Sequence, residues 1–450
     1  FLFLFSVNLY GNNLDDSFLN LKKVLTKAGV PENSYTFMLA DEKNIQLIAH
    51  NVNKQLNAAS IMKLITTSAA LEMLGPNFKW QTKLILNDTP QKNYTNNISI
   101  KGSGDPFFLL KDLRGLLRIL KVLGIKNISG DIVLDNTIFN LKKFDRGNFD
   151  GKPFEPYNVG PDALLLNFFS SEVVFSSSQS SKIKLNIFPP AKKNIRVRLQ
   201  PTNKACKYSK INPKKSSHNI VFLGYIGKCS YLKKNFALYE AKDYWASSLH
   251  FLLDELDINF SGNIIYGKSP INGKLTFVHK SRPLSDIIKS INKYSNNVMA
   301  ENLYHTLELV INEKKNKMTN AQDLIYQYLT DETNSNSFFI ENGSGLSRKT
   351  KLTSNLIVSL LKAQYKKITF PEFFSSLPIA GLDGTLSEEE IFLREDKSYR
   401  FKTGSLNNVR ALAGIIIEHN KKPFFLCYII NHRKAEIAKN AINKFISRNL

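Results

Sequence analysis

Cysteine is scarce in this 450-residue chain, with three copies beside five methionines and two tryptophans. None of the three is spaced as a thiolate metal site. The seven histidines, His218, His250 and His279 among them, form no ligand pattern, so no metal or other cofactor is expected and a Ser-His-Asp centre is disfavoured. Cys206 and Cys229 lie close enough to pair in an oxidising compartment, or are two free thiols, whereas Cys427 sits in the apolar run PFFLCYII and reads as buried. Long apolar runs are missing too. FLFLFSVNLYG, residues 1–11, falls short of the about 20 residues a membrane helix needs. It reads as the end of a secretory signal or an N-terminal tail over 1–14, or alternatively as a core strand. The expectation is an exported protein, periplasmic or associated with the cell envelope.

Acidic residues are the third shortage: 38 against 61 basic ones, a formal charge of +23. Ser181 to Glu240 alone holds fourteen Lys or Arg and one acid, Glu240. Such a surface suits nucleic acid, an anionic membrane or an acidic polymer, or is simply solvated charge. Nucleic acid needs a groove-reading element or an aromatic platform, and neither signature is present.

What the chain does have is a 43% hydrophobic content spread over too many residues for one core, so two or three domains are expected. The serine-rich run Ser176–Ser181 is its one low-complexity patch. Three short motifs stand in order: Ser60-Ile61-Met62-Lys63, Ser295-Asn296-Asn297 and Lys402-Thr403-Gly404. Ser-x-x-Lys recurs at Ser181, Ser230, Ser290 and Ser359, while Lys-Thr-Gly occurs once, so context must decide. Ser60 opens SIMKLITTSAALEMLG, whose apolar spacing predicts a buried helix ending at Gly75. Lys63 then shares a face with Ser60, and the helix N-terminus turns N–H groups toward the hydroxyl; the bland alternative is an N-cap. Lys402 falls in YRFKTGSL, an alternating segment before two apolar strands joined at Asn420-Lys421-Lys422, and is placed on a strand edge. Gly404 there lets a substrate backbone approach, or Lys402 merely guards the edge. Ser295 lies between two helical runs, PLSDIIKSINKYS and VMAENLYHTLELVI, either as a cap or in a loop facing a cleft.

Together with GSGDPFF (102–108), ENGSGLSR (341–348) and LPIAGLDGTL (377–386), the segments around these motifs resemble the penicillin-binding D-alanyl-D-alanine carboxypeptidase/endopeptidase family, low-molecular-mass class C, peptidase family S13. The likeness runs from about Leu21 to the C-terminus. One departure from the common β-lactamase pattern is Asn296, where those enzymes usually carry Asp. The resemblance implies a multidomain α/β (α+β) fold: a discontinuous catalytic domain with an antiparallel sheet and helices, over 15–85 and 274–450. It implies an α/β domain inserted at 86–150 and 259–273, and a mostly-β domain nested at 151–258.

The chemistry expected is acyl transfer. Ser60 is the nucleophile and Lys63 its base, which works only if burial and a neighbouring cation such as Lys402 lower its pKa. By resemblance Ser295 relays a proton to the leaving amine, Asn297 orients the substrate amide, and Lys402, Thr403 and Ser405, with Gly404, bind the terminal carboxylate. The backbone N–H groups of Ser60 and Ser405 would hold the oxyanion. Peptidoglycan peptides are the expected substrate and β-lactams covalent inhibitors, with weak wall-polymer or anionic membrane association through the basic region. The alternatives are a β-lactamase or esterase on the same scaffold, and a catalytically silent wall-binding protein.

Overall fold

The computed structural model describes residues 2–43, 45–141, 144–177, 183–190, 195–216, 219–229, 231–315, 319–418 and 421–450. Ser178–Ser181, His218, Ser230 and Asn420 lie outside them. The chain divides into two compact units, residues 1–78 with 283–450, and residues 79–282.

The first unit is built on a five-stranded antiparallel sheet in the order Lys397–Leu406, Val409–Glu418, Phe424–Asn431, Tyr35–Asp41, Gln46–His50. Its inner strands, FFLCYIIN and YTFMLAD, are apolar at nearly every position because both faces are covered. Leu39, Leu412, Leu426 and Tyr428 join Leu14, Phe18 and Leu21 of the helix Leu2–Lys27 and Ile442 and Phe445 of the helix Ala435–Asn449 in one core. The alternate residues, Cys427 among them, turn to the side where the helix Ser354–Tyr365 packs; Cys427 is buried and free. Residues 2–14, read on sequence as the end of a secretory signal or an N-terminal tail, with a core strand as the alternative, form the first half of the helix Leu2–Lys27 and not a strand; Leu14 enters this core.

The helix Met62–Leu74 is buried on every side from Met62 to Leu71, because the helices Leu284–Tyr294, Asn297–Lys315 and Ala321–Thr333 surround it. Gly75, at φ 82, ends it. The sequence pattern places its start at Ser60, but Ala59–Ile61 form a 3-10 turn and the α-helix begins at Met62.

The second unit has a mixed sheet in the order Ile264–Tyr266, Ile132–Asp135, Ile98–Lys101, Gln81–Leu86, Leu275–Lys280. Both outer sequence boundaries therefore shift. Residues 79–85 and 274–282 belong to this unit, because the strands Gln81–Leu86 and Leu275–Lys280 pair with one another, Leu84 opposite Phe277, and the former also pairs with Ile98–Lys101. The helix Ala241–Glu255, assigned on sequence to the nested part, packs against the helix Leu110–Val122 and the strands beside it. Beside a sheet of short strands, Asn259–Phe260, Asn127–Ile128, Tyr94–Thr95, this unit holds two further three-stranded sheets: Tyr231–Phe236, Ser171–Ser177, Ile183–Phe188, and Ile195–Ala205, Asn219–Lys228, Lys210–Ser216. Phe222 packs against Phe175 and Phe236 between them. A disulfide joins Cys206 and Cys229. In GSGDPFF, Asp105 accepts the Phe107 N–H at 2.8 Å, a local turn device. Among the described residues no helix is long and apolar enough to cross a membrane.

Candidate active site

Ser60 is displayed by strain and by clamps. Ala59 before it has φ 48, a left-handed conformation unusual for a residue with a Cβ. Asn57 holds that turn: its Oδ1 accepts the Ala59 N–H at 2.9 Å and its Nδ2 donates to the Ser347 carbonyl at 2.7 Å. Asn57 also exchanges backbone bonds with the Asn431 side chain, 2.9 and 2.8 Å, tying the turn to the sheet. Two glycines let neighbouring chain close around it. A Cβ on Gly345, at φ 76, would lie 2.0 Å from the Ala59 carbonyl oxygen, and one on Gly404 would lie 2.4 Å from that of Ala58. Gly404 is thus required by the protein's own backbone, a reason the sequence did not disclose.

Lys63 is fully buried, one turn along. Its Nζ lies 3.0 Å from Ser60 Oγ, 2.7 Å from Asn297 Oδ1 and 2.6 Å from the Ser344 carbonyl oxygen. Two of these partners can only accept a hydrogen bond, while the third is a hydroxyl that can also donate. A neutral amine has two hydrogens and one lone pair. It satisfies all three partners only when Ser60 donates its proton toward Nζ, which is the alignment a general base needs. Burial pushes Lys63 down to about 7, opposed by the nearby Glu301 carboxyl.

Ser295 caps the helix Leu284–Tyr294 in the left-handed conformation, φ 55 and ψ 37. Asn292, buried one turn earlier, anchors that helix to Thr67 at 3.1 Å and Ser376 at 2.9 Å. The Ser295 hydroxyl accepts from Lys402 Nζ at 2.9 Å, and Lys402 also donates to the Thr403 carbonyl at 2.8 Å. Lys402 lies on the sheet's edge strand, as expected, but is fully buried and guards no edge. Its burial, and secondarily the Lys63 charge, hold it well below the usual lysine range. Thr403 shares a 2.9 Å hydroxyl contact with Thr385, Gly404 is buried and Ser405 is exposed.

The structure thus gathers Ser60, Lys63 and Asn297 about one amine and Ser295 and Thr403 about the other, and the two lysine charges interact. Sequence reasoning missed Asn57, Asn431, Asn292 and Glu301. Of these only Glu301 carried a signal, four residues after Asn297 on a predicted helix and hence on its face.

The model of the D-Ala-D-Ala carboxypeptidase 3 (S13) family matches residues 19–448. The chain belongs to that family. Its members include serine hydrolases of the D-Ala-D-Ala carboxypeptidase type, and this chain is an enzyme of that type. It is 26% identical over 437 residues to D-alanyl-D-alanine carboxypeptidase DacB of Haemophilus influenzae, covering 92% of this chain and 90% of that one. A D-alanyl-D-alanine carboxypeptidase of an Actinomadura species is 23% identical over 405 residues, 82% and 72% of the two chains. The crystal structure of penicillin binding protein 4 from H. influenzae matches with a TM-score of 0.78 at 23% identity, covering 95% of this chain and 98% of that one, and shows the shared fold.

Proposed function

We propose that the chain is a D-Ala-D-Ala carboxypeptidase/endopeptidase that cuts peptidoglycan stem peptides and cross-links through an acyl-enzyme on Ser60. The observation that carries this reading is the fully buried Lys63 amine 3.0 Å from Ser60 Oγ, fixed there by Asn297 Oδ1 and the Ser344 carbonyl. Ser60 Oγ attacks the carbonyl carbon of the penultimate D-alanine and its proton passes to Lys63 Nζ. The oxyanion is held by the Ser60 and Ser405 N–H groups. The C–N bond breaks, the leaving amine takes a proton through Ser295, and the acyl group remains as an ester on Ser60. Water then attacks the ester and restores the hydroxyl. Asn297 orients the substrate amide, and Lys402, Thr403, Gly404 and Ser405 receive the terminal carboxylate. A β-lactam enters by the same attack on its ring amide, leaving a bulky ester that turns over slowly.

Intact-protein mass spectrometry after brief exposure to benzylpenicillin tests this reading. One persistent adduct, absent in Ser60→Ala, is expected. Rapid loss of the adduct with drug hydrolysis would favour the β-lactamase reading, and no adduct on folded protein the silent wall-binding one.

The Cys206–Cys229 disulfide supports an exported, cell-envelope location. The basic region supports a weak association with acidic wall polymer. Arg196, Arg198, Lys210 and Lys214 are exposed on one face of a single sheet, where cross-strand register sets Arg196 and Lys214 on either side of Val221, and Lys210 beside Tyr225. Charge reversal at Arg196, Arg198 and Lys214 is expected to abolish salt-sensitive co-sedimentation with cell-wall sacculi. Retention on sacculi would refute this placement, and loss from anionic vesicles alone would assign the face to membrane.

A further inference from the structure

The two buried lysines put two amines into one site, and the mechanism assigned so far supplies no negative charge to balance them. Glu301 supplies one. It lies four residues after Asn297 on the helix Asn297–Lys315, hence on the same face, one turn deeper. Its Oε1 accepts the Ser344 N–H at 2.9 Å and its Oε2 the Gly343 N–H at 3.3 Å, with the Ser344 side chain also interacting with the carboxyl. Both backbone partners donate, as an ionised carboxylate requires; burial pushes the Glu301 carboxyl above its ordinary value, opposed by these bonds and by the Lys63 charge. The same turn is gripped from the other side by Thr66 of the serine helix, which donates to the Gly343 carbonyl at 2.7 Å. Between these two grips the Ser344 carbonyl is aimed at Lys63 Nζ, 2.6 Å away.

We propose that Glu301 is a positioning residue for the acylation step, holding the Gly343–Ser344 turn so that the Ser344 carbonyl takes one hydrogen of Lys63 and leaves its lone pair to Ser60. The proposal rests on the Ser60–Lys63 reading. The aim matters because Nζ has three partners and one lone pair. Without a fixed Ser344 carbonyl the amine can rotate and offer a hydrogen to Ser60, and it is then no base. The charge matters as well, since burial alone would leave Lys63 neutral but feebly basic, and a base works best with its pKa near the working pH. The charged and titratable groups acting on this pair are Lys63 and Glu301 on each other, Lys402 on the edge strand, and the Tyr304 phenol one turn beyond Glu301.

The test is the pH dependence of the second-order rate constant for benzylpenicillin acylation, on the full chain, in Glu301→Gln and Glu301→Asp. Removing a negative charge beside an amine makes it easier to deprotonate. Glu301→Gln is therefore expected to move the acidic limb to lower pH by at least half a unit and to lower the plateau roughly tenfold, within the range of general-base effects. Glu301→Asp keeps the charge but shortens the reach, so it should hold the limb near its original pH while lowering the plateau. A limb that stays put in Glu301→Gln, with the plateau falling only as the unfolding midpoint falls, would reduce Glu301 to a structural residue and overturn the proposal. If Glu301→Gln does not fold, Glu301→Asp decides alone: a lowered plateau at an unmoved limb supports positioning, and a parental rate refutes it. Failure of the Ser60–Lys63 reading looks different, because the parent protein itself then forms no adduct that Ser60→Ala abolishes.

Discussion

The site contains two serine–lysine pairs, and they are built in opposite ways. Ser60 and Lys63 come from one turn of chain, three residues apart, and meet because the helix brings them together. Ser295 and Lys402 are 107 residues apart, one at a strained helix end and the other on a sheet edge, and they meet because the fold does so. Their surroundings differ in kind. Lys63 has two acceptor-only partners, one hydroxyl and a carboxyl in range, whereas Lys402 has a hydroxyl, its own neighbour's carbonyl and a second cation. The first environment suits a proton acceptor and the second a receiver of anionic charge. Having two buried amines is uninformative; the partners around each one assign its task.

The sharpest way to break this comparison is to remove each amine in turn. Lys63→Ala is expected to lower benzylpenicillin acylation roughly a thousandfold, the middle to upper range for a lost general base. A loss no larger than that of Lys402→Gln would make the two lysines equivalent and remove the distinction. Lys402→Gln should cost less in rate and reveal itself in the pH profile. With Lys63 titrating at about 7, the parent rate should fall tenfold per unit below that pH, because only the neutral amine accepts the Ser60 proton. Repulsion between the two amines is mutual, so deleting the Lys402 charge lets Lys63 hold its proton longer and moves that limb to higher pH. This is opposite in direction to the Glu301→Gln shift. An unmoved limb would mean that Lys402 is neutral and that its charge plays no part.

The same division decides how much was legible in the sequence. The local pair could be read from spacing and apolar periodicity, and so could Lys402 on an edge strand, because alternation and a single Lys-Thr-Gly are local signals. Periodicity was also enough for the helix Leu110–Val122 and for strands such as Ile183–Phe188. What escaped was everything that depends on residues far apart touching. Asn431 is an unremarkable end to PFFLCYIIN until the fold sets it against Asn57. The unit boundary was misplaced because the strand Gln81–Leu86 looks the same whichever sheet it joins, and only its partner Leu275–Lys280 decides. The helix start was placed at Ser60, two residues before the α-helix begins at Met62, since a 3-10 turn and the start of an α-helix share the same apolar pattern.

A milder probe separates Ser295 from its lysine. Ser295→Ala leaves Lys402 with one acceptor fewer and removes the proposed proton relay, so acylation should fall on the order of tenfold to a hundredfold, below the Lys63→Ala loss. The readout is again the acylation rate constant. The loss should be larger for a peptide substrate, whose leaving amine departs and needs the proton, than for a β-lactam, whose amine stays tethered. Equal losses for both would take the relay away from Ser295.

The smallest effect comes from joining the two halves too loosely. Gly404 lies on the strand that carries Lys402, and its missing side chain is what lets that strand close on Ala58, two residues before Ser60. A methyl group at Gly404 would meet the Ala58 carbonyl oxygen at 2.4 Å, and backbone is the poorer neighbour to yield. Gly404→Ala should therefore destabilise the protein by about 1–3 kcal/mol in urea unfolding, as overpacking does. It should also slow acylation a few-fold, because the shift that relieves the clash moves the Ser60 turn relative to the Lys402 strand. The limb near pH 7 should stay in place, since the partners of Lys63 are untouched. A displaced limb would show that the Ser60 turn and the Lys63 amine move together, and that the local pair is less independent of the fold than its three-residue spacing suggests.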